Sequence, residues 1–209
     1  MPNLRTRLVN ALGIPFVDLG DAPSATYGHE GTRIPLADND PMRTTYGIFL
    51  PSFIPAGANP TSFLEMVGAA NVITRIRQII LAGEATAATN LAFALTRRAS
   101  ALTGSTPVAQ TVVVRDSNDP VASTIVRTMT VTNPSGGGAS PAQIDGQRLN
   151  LAPAANGSID RALFQYGWQN DKAPVLRGGE FMTLDLLNGA AWPAGGKLDI
   201  AILFSEEAA

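Results

Sequence analysis

The residues best suited to chemistry sit in two short clusters, Asp116, Asn118 and Asp119 in one and Asp38, Asn39 and Asp40 in the other. Calcium takes roughly six to eight oxygen ligands, and closely spaced Asp and Asn can supply several. Neither cluster has the central glycine and distal glutamate of a calcium-binding loop. Each leads into a proline, Pro120 or Pro41, a setting where Asp and Asn hydrogen-bond their own backbone in Asx turns. We read both as turns and expect no metal. The single histidine, His29, stands beside Glu30 in a glycine-rich stretch, with Asp38 and Asp40 further on. A catalytic imidazole needs a nucleophile and an orienting acid, and no partner of either kind is marked out for His29, so it reads as a surface or interface residue. Glycoside hydrolysis needs two carboxylates across a cleft, and the 17 acidic residues fall mostly in turns or at Glu206-Glu207. Arg177-Gly-Gly179 and Gly136-Gly-Gly138 precede no helical pattern, so neither reads as a phosphate cradle. Trp168, Tyr166 and Trp192 could stack on a sugar. The plainer reading puts Tyr166 in a strand alternation and Trp192, ahead of Pro193, over the edge of a core. On these grounds the chain is expected not to be an enzyme and to carry no cofactor.

Composition narrows the partners. With 15 basic and 17 acidic residues the net charge is −2, which offers no electrostatic footprint for nucleic acid or an anionic membrane. Cysteine is absent, so disulfides, thiolate nucleophiles and Cys-ligated metals are excluded. Charged residues make up 15% of the chain, against an average of roughly 25%. A surface so poor in charge is either covered by neighbouring subunits or made of neutral Thr, Ser, Ala and Gly. No apolar run approaches the ~20 residues that span a bilayer. Met1–Leu12 carries Arg5 and Arg7 without a long apolar stretch, so no secretory signal is expected and the product should be made in a cytoplasm.

The elements that must position these residues are read from periodicity. In Leu91–Arg97, Leu91, Phe93 and Leu95 point one way and Ala92, Ala94 and Thr96 the other, the period of a half-buried strand. Val72–Leu81 precedes it across the small-residue link Gly83–Asn90, and we expect the two to form a hairpin. Further strands are expected at Gln110–Arg115, Thr124–Thr132, Ile159–Trp168, Phe181–Asn188 and Lys197–Ser205, separated by turn sequences such as Asn133-Pro-Ser-Gly136 and Asn188-Gly189. About seven or eight such strands with no helices between them indicate an all-β, antiparallel, jelly-roll-like β-sandwich. At the N-terminus, Leu4, Leu8 and Leu12 recur at a spacing of four behind Asn3, with Gly13 and Pro15 as stop signals, which reads as a short amphipathic helix. From Pro15 to Pro60, seven prolines interrupt an apolar but aperiodic stretch. Proline removes a ladder donor, so this region is expected to be an extended arm rather than a sheet interior. The expected organisation is an arm over residues 1–61 and a sandwich over 62–209.

Several segments together carry a resemblance: Ile76-Arg-Gln-Ile-Ile-Leu-Ala-Gly-Glu-Ala85, Leu91–Arg98, Asp116-Ser-Asn-Asp-Pro-Val-Ala122, Ala173-Pro-Val-Leu-Arg-Gly-Gly179 with Leu184-Asp-Leu-Leu-Asn-Gly189, and the final Leu198–Glu207. Over Val72–Glu207 the chain resembles virion structural proteins of tailed bacteriophages. The resemblance implies a virion location and a sandwich that binds the particle, as a capsid decoration (cement) protein. The implied partners are a major capsid protein, other virion subunits, or further copies of the chain in a homo-oligomer or lattice. The alternative is a glycan-binding module on a tail or fibre. The residues expected to meet a partner are Leu4, Arg5, Arg7, Leu8 and Leu12 on the helix, and Phe49 and Phe53 in the arm.

Overall fold

The structure, a computed structural model, describes residues 26–27, 33–34, 44–56, 61–130, 135–136, 142–153, 160–167, 172–187 and 191–209. The helix expected at Asn3–Leu12, with Leu4, Arg5, Arg7, Leu8 and Leu12, lies outside them, as do His29 and Trp168. The chain divides into two compact units, Met1–Met42 and Arg43–Ala209. In the first, β1 (Thr26–Tyr27) pairs antiparallel with β2 (Arg33–Ile34). The second contains β3 (Thr44–Phe53), β4 (Ser62–Val67), β5 (Val72–Glu84), β6 (Thr89–Arg98), β7 (Leu102–Thr103), β8 (Pro107–Ala109), β9 (Val113–Val114), β10 (Ile125–Met129), β11 (Ser135–Gly136), β12 (Ala142–Leu151), β13 (Arg161–Gln165), β14 (Val175–Leu176), β15 (Phe181–Leu186) and β16 (Lys197–Ala208).

β7 and β11 pair with each other in a separate ladder, and the other strands build two antiparallel sheets. Sheet I runs β13-β5-β16-β3-β9, with β14 continuing the β13 edge along β5. Sheet II runs β12-β6-β15-β4-β10-β8. Alternation explains both. In β16, Leu198, Ile200, Ile202 and Phe204 are buried while Lys197 and Asp199 are exposed. Across the gap, Leu91, Phe93 and Leu95 of β6 and Met182, Leu184 and Leu186 of β15 enter the same hydrophobic cluster. One core shared by two antiparallel sheets is the all-β sandwich the periodicity implies. Phe93 stands at its centre, edge-on to Phe63 at 6.0 Å.

The hairpin expected between Val72–Leu81 and Leu91–Arg97 does not form. β5 belongs to sheet I and β6 to sheet II, so Ala85–Ala88 turns a corner between sheets. Both strands carry a large apolar face, and facing each other across the core buries both faces at once; pairing edge to edge would not. β5 also breaks period two, because Ile76 and Ile79 are both buried. A register shift opposite Leu203/Phe204 absorbs the extra residue at Arg77 and turns both isoleucines inward.

The prolines of the expected arm do not keep Thr44–Phe53 out of a sheet. β3 lies between β16 and β9, inside the second compact unit. Its proline is tolerated because the ladder slips there: Ile200 pairs with Leu50 but Leu198 with Phe53. Ser52 takes a φ of 51°, and its N–H is satisfied by Asp199 Oδ1 at 2.7 Å. Pro51 thus stands in a bulge, one of the few places a sheet accepts it.

Two carboxylates guard the long outer edge of sheet II. Along β12, the Gly146 N–H donates to Asp145 Oδ1 at 2.7 Å and the Asn150 N–H to Asp160 Oδ2 at 2.9 Å.

The Asp116–Thr124 loop is folded by its own polar groups. Asn118 N–H donates to Asp116 Oδ1 at 3.0 Å and Asp119 N–H to the Asp116 carbonyl, the Asx turn read from the sequence. Glu206 holds the far end by accepting the Ser123 and Thr124 N–H groups at 3.1 and 2.7 Å. The Tyr46 hydroxyl donates to the Pro120 carbonyl at 3.0 Å, and its ring stacks on Phe204 at 5.3 Å.

Two measurements test this packing. Phe93→Ala should lower stability by about 3–5 kcal/mol, because the cavity adds to the lost transfer energy; chemical denaturation reads it directly. Burial holds the Tyr46 phenol above its usual value of 10.0, and the Glu206 charge adds to the effect. A phenol whose folded-state value is raised favours the native state below about pH 10, and that contribution is lost as pH climbs through the folded value. Melting scans between about pH 8 and pH 11 should therefore fall more steeply for the wild type than for Tyr46→Phe. The variant should start about 1 kcal/mol lower for want of the Pro120 hydrogen bond.

Candidate interaction surface

Two places on the sandwich depart from an ordinary solvated sheet. The first is the outer face of sheet II. Strands β4, β6 and β15 are buried on both faces, and the outward face is polar: Ser62, Glu65, Thr96, Thr183 and Asp185. Thr96, read from the sequence as solvent-facing, is 1% exposed. Glu65 is fully buried and ion-paired with Arg127, and its Oε1 accepts the Leu102 N–H at 2.8 Å. Beside it, Arg98 donates to Asp185 Oδ2 at 2.8 Å, Thr183 Oγ1 at 2.8 Å and Ser62 Oγ at 3.0 Å, while the Ser62 hydroxyl donates to Asp185 Oδ1 at 2.7 Å. The Ser62–Asp185 contact has the residue types of a nucleophile and base. The Arg98 guanidinium, however, already donates to both the carboxylate and the Ser62 hydroxyl oxygen. The Arg98 group ties β4, β6 and β15 together, and Glu65 acts as a clamp that fixes Leu102, in the segment between β6 and β10, onto the sheet. Arg75–Glu207 and Arg97–Glu180 are likewise ion pairs within the chain, so these strand arginines are satisfied internally.

The second place is the outer face of sheet I. The registers set Phe49, Ala201, Ile80 and Leu163 side by side across four strands, with Val113, Gly47, Leu203 and Gln78 as the next row. A shallow groove of about 320 Å³ runs between them, lined also by Arg115. Phe49 is 63% exposed and Val113 61%. Charged residues bound the apolar rows at one end, Lys197 with Glu84 and Asp199 with Arg161; Arg75 with Glu207 bounds the other.

Phe49 and Phe53, named together from the sequence, part company here. Period two would put both on one face, but the Pro51-Ser52 bulge reverses the alternation. Phe49 stays outward; Phe53 turns to pack on the core, its ring 5.9 Å from that of Phe63. Gly47, the groove's floor, drew no attention in the sequence, where a single glycine in a proline-rich stretch reads as punctuation. Of the aromatic residues considered for sugar stacking, Trp192 donates its Nε1–H to the Gly196 carbonyl at 3.0 Å and packs against the core. Tyr166 donates its hydroxyl to Asp145 at 3.1 Å. Among the described residues no three His, Cys, Asp or Glu side chains converge as metal ligands, and no helix is long and apolar enough to cross a membrane.

No protein-family model, curated protein or solved structure matches the chain. The surface must be interpreted from its own chemistry.

The clamp makes a quantitative prediction. Glu65→Gln leaves the Arg127 charge without its counterpart and should lower stability by about 3–5 kcal/mol. Amide exchange at Leu102 should accelerate by more than exchange at core strand β16. If both rise equally, the clamp is not what holds the segment down.

Proposed function

We propose that this chain is a structural component of a tailed-phage particle, a capsid decoration (cement) protein that binds the head lattice and stabilises it. On this reading its sandwich is a jelly roll, and a short amphipathic helix over Asn3–Leu12 serves as an anchor. The observation that carries the proposal is the strand order. Leaving aside β7–β11, an insertion, and taking β13 with β14 as one edge, four strands run β3-β16-β5-β13 in sheet I and four run β4-β15-β6-β12 in sheet II. Successive strands change sheets at every step except β6 to β12, as in two interlocked Greek keys. Jelly rolls of this kind recur in viral capsid and lectin domains and in cupins. Fold alone selects no function; the resemblance of Val72–Glu207 to virion proteins supplies the setting.

The mechanism is multivalent burial. Each copy offers a rigid sandwich with an apolar outer face, tied to an N-terminal segment carrying its own apolar stripe. Tethering turns the second contact into an intramolecular event at high effective concentration, and a closed lattice repeats the gain at every site. Leu4, Leu8 and Leu12 supply the stripe, with Arg5 and Arg7 available to acidic groups at the rim of an apolar groove on the capsid protein.

Removing residues 1–13 should leave the circular dichroism and melting of the sandwich unchanged while occupancy on purified particles falls sharply. The same particles should release DNA at a lower temperature. Full occupancy and full protection by the truncated chain would place the anchor elsewhere.

A further inference from the structure

The groove on sheet I has a floor the fold does not require. Glycine in a strand interior costs about 0.5–1 kcal/mol relative to alanine, and proteins keep it there where something must come close. Gly83 has an internal reason, since a Cβ would lie 2.2 Å from the Lys197 carbonyl oxygen, and so does Gly68, 2.1 Å from that of Arg177. Gly47 has none: an added Cβ would meet only Arg115 Nε and the Ile202 carbonyl oxygen, both at 3.9 Å. Its missing side chain opens the groove toward whatever lies outside. Within one copy the walls, Phe49 and Val113, remain exposed, and Arg115 lines the groove with no carboxylate paired to it among the described residues. The occupant that fits is an extended apolar segment carrying an acidic group.

One stretch of the sequence outside the described residues has that character. Ile14-Pro-Phe-Val-Asp-Leu19 supplies four large apolar side chains around Asp18, Pro15 favours an extended backbone, and no Lys or Arg occurs between Arg7 and Arg33. Residues 1–12 would bring Arg5 and Arg7 toward Arg115, and residues 35–42 carry acids with only Leu36 and Met42 as large apolar side chains. We propose that the groove floored by Gly47 receives Ile14–Leu19 of a neighbouring copy, with Asp18 meeting Arg115. The assignment rests on reading the chain as a repeating coat subunit, which brings copies within reach of one another.

The chain has no cysteine of its own, so one introduced thiol per molecule reports its neighbour. Full-length Asp18→Cys and Arg115→Cys chains, mixed and treated with a short bismaleimide, should give an Asp18–Arg115 linked heterodimer. Adding Gly47→Leu to the Arg115→Cys chain should cut that product about tenfold while leaving its melting temperature unchanged. Val113→Asp, at an exposed wall, serves if Gly47→Leu perturbs folding. Three outcomes overturn the proposal: no heterodimer at any attainable concentration, a heterodimer indifferent to both groove variants, or linkage within one chain of the Asp18→Cys/Arg115→Cys double variant. Arg115–Arg115 dimers alone would also overturn it, by assigning the face to its own counterpart in a second copy. Particles that keep full occupancy of a chain failing these tests would fault the docking assignment and leave the particle reading standing.

Discussion

A fully buried carboxylate constrains sheet II of this sandwich. Glu65 projects from a central strand of sheet II on the side away from the core, where a half-buried sheet would meet water. Buried and unpaired, an ionised carboxylate costs many kcal/mol; ringed by donors, it is tolerable. Arg127, opposite Glu65 on the neighbouring strand β10, and the Leu102 N–H are those donors. Satisfying one charge therefore holds Leu102, near the start of the segment linking β6 to β10, against the sheet. On the same face Thr96 is buried with a hydroxyl that has no partner, and Ser62, Thr183 and Asp185, bonded to Arg98, are buried too. Except for the Thr96 hydroxyl, the buried polar groups of this face are paired with one another or with the backbone, so they bear on uniqueness as much as on stability.

The same constraint explains where sequence reasoning succeeded and where it stopped. β16, β15 and β6 were legible because each sets large apolar residues against polar or small ones at period two. β4 was not: Ser62-Phe-Leu-Glu-Met66 is buried on both sides, so it shows no alternation, only a short mixed run. β12 failed for the opposite reason, as an edge strand whose mostly exposed residues Gln143, Ile144, Arg148 and Asn150 look like loop. β3 was hidden by Pro51, whose bulge is invisible until the register of β16 is known. The supposed hairpin of β5 and β6 shows a further limit. Local pattern says that two segments are strands with apolar faces, but which partner each face meets depends on a core assembled from the entire chain.

The outer face of sheet I was half legible. Phe49 stood out by type, yet so did Phe53, and only the bulge separates an outward ring from an inward one. Gly47 gave no signal, because a glycine's role depends on what surrounds the Cβ it lacks. The comparison among Gly47, Gly68 and Gly83 turns that into an argument: two are explained by a carbonyl oxygen that leaves no room, and the third by space left open.

The edge of β12 bears on how such a protein survives being made in quantity. A strand of ten residues with free backbone donors is a template on which another chain can add, and identical subunits at high concentration would extend it without limit. Asp145 and Asp160 occupy two of those donors with their own carboxylates. Of the other sheet edges, β8 has three residues and β9 two, while β13, with five, is followed along β5 by the two residues of β14. With strand addition discouraged along β12, the faces are left as the surfaces where side-chain shape decides what can dock.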